Sequence, residues 1–201
     1  ISDLFFYSLG FMVVTAIIVA RGIKGGIEKA AKILMPTLFV LLVLLIIYSL
    51  TLENSMTGIK YYLVPDLGEI NFSTIYSALG QAFFSLSLGM AGMVTYGSYI
   101  SKKENLITAA GLVVTTDTAV AFLAGLLIFP LVFSQGLEPS AGPGLVFVVL
   151  PGIFQGMGGI GLFVGGLFSP LLCFAALTST LALLQIPVTF LVDEKGFSRK
   201  W

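Results

Sequence analysis

The chain has 201 residues, with ten basic and ten acidic side chains, no histidine and a single cysteine, Cys173. Hydrophobic residues make up 57% and charged residues 10%, at a mean hydropathy of +1.05, which excludes a soluble domain and defines a membrane protein. Zero net charge offers nucleic acid no basic surface, one cysteine excludes an intrachain disulfide framework, and a His- or Cys-based metal site is not expected.

The expected class is all-α membrane protein with five transmembrane helices. A crossing helix needs roughly 20 apolar residues, and the apolar runs at 4–20, 33–52, 72–100, 106–132 and 161–192 meet or approach that length. Polar connections at 21–32, 53–70 and 101–105 separate the first four. The third run carries Ser85, Ser87, Gly89 and Gly92 near its centre. Glycine weakens a helix interior by about 1 kcal/mol relative to alanine, and serine competes for backbone hydrogen bonds. Two readings fit: a helix broken at mid-membrane, with free carbonyls for a cation, or an unbroken helix whose small residues admit a close neighbour.

Between the last two runs, residues 133–159 are rich in glycine and proline. The apolar piece at 145–150, bounded by Pro143 and Pro151, is too short to cross, so this stretch reads as a re-entrant external hairpin. Gly161 and Gly165 read as a helix-packing pair. Asn71 begins an N-glycosylation pattern, Asn-Phe-Ser, that reads as chance.

Basic residues set the orientation. Arg21, Lys24, Lys29, Lys32, Lys102, Lys103, Lys195, Arg199 and Lys200 share one side, leaving Lys60 alone on the other. The positive-inside rule then places loop 21–32, turn 101–105 and the C-terminus in the cytoplasm of a plasma (inner) membrane, multi-pass protein. The chain opens Ile-Ser-Asp rather than with methionine and shows no signal peptide, which reads as a fragment.

Asp117 is the one acid inside a run. A carboxylate there costs at least about 2.5–3.5 kcal/mol on insertion scales, so it reads as functional: a cation ligand, a proton carrier or a counter-charge. A structural bond to the backbone or to its threonine neighbours is the plainer reading. Thr178, Ser179 and Thr180 form a second polar cluster, whose hydroxyls most often bond their own helix. No Ser–His pair or aspartate dyad is present, so an enzyme is not expected. An ion channel or a structural membrane subunit with a polar intramembrane site is the alternative to a transporter.

The stretch GQAFFSLSLGMAGMVTYGSY resembles the sixth helix of the neurotransmitter:sodium symporter family, particularly its bacterial leucine-transporter-like members. RGIKGGIEKAAKILMP resembles the family's fourth-to-fifth helix junction, GLEPSAGPGLVFVVLP its fourth extracellular loop, and FAALTSTLALLQ its eighth helix. The resemblance covers essentially the whole chain, in the family's order. It implies a single transmembrane domain over 1–201, helices four to eight of a twelve-helix inverted-repeat fold.

The function it implies is sodium-coupled symport of a neutral amino acid, apolar or aromatic, by alternating access. Phe84, Ser85, Ser87, Met90, Ser179 and Leu183 match substrate-binding positions. Ser85 and Asp117 match the first sodium site, and Ala175, Thr178 and Ser179 the second. Gly26 and Pro36 match a spacing tied to unwinding of the fifth helix, and Gly89 joins them as a conformational position. The implied partners are the amino-acid substrate, sodium ions and the bilayer, with a homodimer as a candidate assembly. Ala121 stands where chloride-dependent members have serine, so a carboxylate at Asp117 implies chloride-independent transport, with proton counter-movement as an accompanying option.

Overall fold

The computed structural model describes residues 2–101, 104–137, 139 and 144–198, and every regular element in them is helical. α1 spans Ser2–Ala20. A π-helical turn, Ile23–Ile27, leads into α2, Glu28–Leu50. α3 spans Ser55–Leu63, and a 3-10 turn follows at Leu67–Glu69. α4 is Phe72–Ser85, α5 is Gly92–Gly97 and α6 is Leu106–Ser134. A second π-helical turn, Leu145–Val149, runs into α7, Leu150–Gly156, and α8 is Gly158–Asp193. Lys102, Lys103, Arg199 and Lys200, and residues 138 and 140–143 of the expected hairpin, lie outside the described residues.

Four stretches among the described residues are long and apolar enough to cross a membrane: Asp3–Ala20, Ile23–Leu50, Leu106–Ser134 and Gly158–Asp193. The third expected span, 72–100, is instead two shorter helices. Ser87, Gly89 and Ala91 all take positive φ, at 53°, 82° and 58°. Three left-handed residues in alternation cannot continue a right-handed helix, so α4 stops at Ser85 and α5 restarts at Gly92.

Two polar connections differ from expectation by being helical. In 21–32, the Lys32 ammonium lies 2.7 Å from the Glu28 carboxylate across one turn, which supports α2 from its first residue. In 53–70, α3 forms, and Asp66 Oδ1 accepts from the Gly68 N–H at 2.9 Å in the turn beyond it. Asn71 is the N-cap of α4, its Oδ1 accepting from the Thr74 N–H at 3.0 Å, and Asn105 caps α6 by accepting from Ile107 and Thr108.

The contacts form two compact units. One unit comprises residues 1–38, 87–104 and 172–201. Its core joins Val19 and Ile27 to Leu177 and Leu181, with Phe11, Ile18, Leu184 and Val188 packed around them. The other comprises residues 39–86 and 105–171. There α3 lies along α6 through reciprocal glycines: a β-carbon at Gly58 would strike the Phe129 backbone, and one at Gly125 would strike the Tyr62 ring. The Tyr62 and Phe129 rings stack at 4.9 Å and the Tyr62 hydroxyl donates to the Phe122 carbonyl at 3.3 Å. Burial pushes the Tyr62 phenol above its ordinary range, so it keeps the proton it donates.

In the same unit α7 folds back on the start of α8 through Gly158, at φ 64°. Gly161 admits the Phe154 carbonyl, Gly165 admits its side chain, and the Phe154 and Phe168 rings meet edge-on at 5.4 Å. The small-residue pair expected to join helices receives an aromatic of the preceding helix, α7. Outside these cores the helices expose apolar side chains, such as Phe39, Phe72 and Ile107, the inverse of a water-soluble surface.

Candidate functional site

The sequence left Asp117 either an ion or proton role or a structural bond to the backbone or its neighbouring threonines. Thr115 and Thr118 do not approach it; their hydroxyls donate to the carbonyls of Gly111 and Val114 on their own helix. Its partner is Ser85, the last residue of α4. The Ser85 Oγ lies 2.8 Å from Oδ1 and 2.8 Å from Oδ2 of Asp117. One hydroxyl proton shared between two carboxylate oxygens leaves most of the carboxylate's acceptor positions open. The pair joins the end of one helix to the middle of another across 32 residues of chain.

Phe84 precedes Ser85 in the same unit and is exposed. Ser87, Gly89 and Met90 belong to the other unit, in the left-handed segment before α5. Ser179 and Leu183 lie in that unit as well, both exposed on α8.

Ala175, Thr178 and Ser179 come together on α8. The Ala175 carbonyl accepts from the Thr178 hydroxyl at 2.9 Å and from the Ser179 hydroxyl at 3.2 Å. This is the back-bonding expected of adjacent hydroxyls, and it gathers three oxygens into one cluster. Each hydroxyl keeps acceptor capacity while donating, so the cluster holds hard, neutral oxygen donors. Among the described residues no three His, Cys, Asp or Glu side chains cluster.

Gly26 is buried against α1, where a β-carbon would run into the Ile18 carbonyl, and both the Gly26 and Ile27 N–H groups donate to the Gly22 carbonyl at 2.9 and 3.1 Å. Pro36 lies inside α2 and supplies no N–H to the Lys32 carbonyl.

Two features were not foreseen. Thr15 is completely buried in α1 and faces Thr180; a single hydroxyl in an apolar run was its only signal. The second lies at the C-terminal end of α8, where Gln185, fully buried, donates to Thr189 at 2.7 Å and Tyr99 lies 3.3 Å from the same hydroxyl. A cleft of about 550 Å³ opens beside it, lined by Thr95, Ser98, Thr189 and Asp193 among others.

Apolar helices of membrane-crossing length, left-handed breaks and intramembrane oxygen clusters define an integral, multi-pass membrane protein. A profile described as the Sodium:neurotransmitter symporter family matches residues 6–200. The chain belongs to this family. It is 46% identical over 190 residues to the sodium-dependent transporter YhdH of Bacillus subtilis, covering 93% of this chain and 42% of that one. It is 43% identical over 197 residues to a sodium-dependent transporter of Haemophilus influenzae, covering 98% and 43%. A more distant relative is the sodium-dependent nutrient amino acid transporter 1 of Drosophila persimilis, 29% identical over 199 residues, covering 94% and 30%. Among solved structures, that of MhsT in complex with L-phenylalanine superposes with a TM-score of 0.84 at 49% identity, covering 97% of this chain and 44% of that one. The chain thus spans less than half the length of these relatives.

Proposed function

We propose that this chain is the central part, helices four to eight, of a twelve-helix sodium-coupled symporter for a neutral amino acid. The observation that carries the reading is the Ser85 hydroxyl held 2.8 Å from both oxygens of Asp117, beside a segment that three left-handed residues unwind. Family membership supplies the context in which that pair reads as an ion site. Ser85 and Asp117 contribute to the first sodium site, and Ala175, Thr178 and Ser179 to the second. Oxygen donors with one negative charge suit a hard monovalent cation.

Phe84, Ser85, Ser87, Met90, Ser179 and Leu183 are the substrate-binding positions by family resemblance, and α4 and α5 would be the two halves of one broken span. The substrate is apolar or aromatic: Phe84 and Met90 put apolar side chains at substrate-binding positions of the family, and the Met90 thioether is adaptable. The phenylalanine bound by the similar MhsT is of this kind. Asp117 supplies a fixed negative charge beside the sodium, which makes added chloride unnecessary. Coupling follows from differential binding: sodium stabilises the outward-facing, substrate-ready state only as far as it binds that state better. Gly26, Pro36 and Gly89 are points where the backbone yields as the state changes.

The test is uptake of labelled amino acids, phenylalanine included, into proteoliposomes holding the full-length protein that carries this chain. Sodium, potassium or choline is placed outside, with and without chloride. Uptake that requires sodium and ignores chloride is expected. A chloride requirement removes the role given to Asp117, and uptake indifferent to sodium overturns the symporter reading.

A further inference from the structure

We infer that Thr15 is a positioning residue for the oxygen cluster of α8, acting through Thr180; this rests on reading Ala175, Thr178 and Ser179 as the second sodium site. Leu177, Leu181, Leu184 and Val188 recur at helical spacing and form the seam along which α8 meets α1 and the π-helical turn after it. At 3.6 residues per turn, the cluster of Ala175, Thr178 and Ser179 sits about 140° round the helix from that seam. The direction in which the three oxygens point is therefore set by how the opposite side of α8 is gripped.

An apolar seam grips rotation poorly. In a bilayer one hydrocarbon neighbour is worth nearly as much as the next, and lipid is equally apolar. Thr15 and Thr180 interrupt the seam with two hydroxyls whose oxygens are 3.5 Å apart. Thr15 is 0% exposed. Each hydroxyl has carbonyls of its own helix within reach: Phe11 for Thr15 at 2.9 Å, Ala176 and Leu177 for Thr180 at 3.1 and 3.0 Å. Either can turn its proton across the gap to the other. A one-residue slip of α8 that brings Leu181 to this place sets Thr15 against hydrocarbon and forfeits that contact. Thr180 adjoins Ser179, so the contact fixes the turn that carries the cluster without touching the ion. Buried polar groups fix register in this way where apolar packing alone is permissive.

The experiment uses the full-length protein with Thr15→Val, which keeps the shape and removes the hydroxyl, Thr15→Ser, which keeps the hydroxyl, and Thr178→Val as a probe of the ion site itself. Three quantities are read: the sodium concentration for half-maximal uptake, the half-saturating amino acid at saturating sodium, and the rise in melting temperature that sodium gives the purified protein. Thr15→Val is expected to raise the sodium half-saturation about three-fold, the scale of an average interhelical hydrogen bond in a membrane. It also shrinks the sodium-dependent stabilisation and leaves the amino-acid half-saturation at saturating sodium unchanged, while Thr15→Ser behaves as wild type. Wild-type sodium dependence in Thr15→Val, with Thr178→Val shifted, overturns the positioning role alone. So does a loss in Thr15→Val that Thr15→Ser shares or that falls equally on sodium and amino acid. Wild-type sodium dependence in Thr178→Val overturns the site reading beneath it.

Discussion

A carboxylate in an apolar run has to be answered by a partner, and Asp117 is answered by one hydroxyl. Replacing Asp117 with asparagine keeps the shape and removes the charge. Sodium half-saturation is expected to rise about ten-fold, the equivalent of one pKa-unit-sized interaction, and uptake measured with and without chloride should become chloride-sensitive. The left-handed residues make a second prediction. Gly89 at φ 82° has no β-carbon to strain, whereas Ala91 at φ 58° already bears one. Gly89→Ala should lower stability by about 1–2 kcal/mol in thermal unfolding. Ala91→Gly should be close to neutral, the relieved strain offsetting the added chain entropy. Asp117 stands out in the sequence because its cost in hydrocarbon is independent of context. Ser85 as its partner came only from the family resemblance, because 32 residues separate them and the meeting depends on where α4 stops. Asn71 shows the converse: a three-residue pattern suggested modification by chance, and its physical role is a helix cap.

Among the elements, α3 and the continuous course of α2 through 28–32 were hidden by polar residues that read as loop. A helix nine residues long with mixed composition carries little periodic signal, and α3 is held by packing rather than propensity. That packing is testable. A β-carbon at Gly58 meets backbone atoms of Phe129 and Pro130, which cannot swing aside as a side chain can. Gly58→Ala should cost about 1–3 kcal/mol in thermal unfolding of the purified protein. Gly125→Ala should cost less, because the Tyr62 ring it meets can rotate away. For the run at 72–100, composition left a broken and an unbroken helix equally open, and the structure holds two helices there, α4 and α5. The choice lay in φ angles at Ser87 and Ala91, residues that ordinarily avoid the left-handed region.

For the molecule as a whole, composition alone fixed the membrane class, since no soluble core accounts for mean hydropathy of +1.05. The placement of sites came from family motifs, because hydrophobic periodicity carries no signal of which distant residues meet. The proposed orientation has a direct check. Cys173 is exposed and is replaced first by serine to give a thiol-free background. Lys60→Cys in intact cells should then react with a membrane-impermeant maleimide, and Lys24→Cys only after permeabilisation. The reverse pattern inverts the topology.

The shared proton between Ser85 and Asp117 has a kinetic consequence. A hydroxyl has one hydrogen to give, so at any instant one carboxylate oxygen is nearly bare. An arriving cation can settle on that oxygen while the serine remains on the other. Occupancy then proceeds by addition rather than by ligand exchange, and no protein–protein bond has to break before the ion lands. If the pair is the proposed sodium site, loading breaks no protein–protein bond, and helix movement rather than ligand exchange sets the pace.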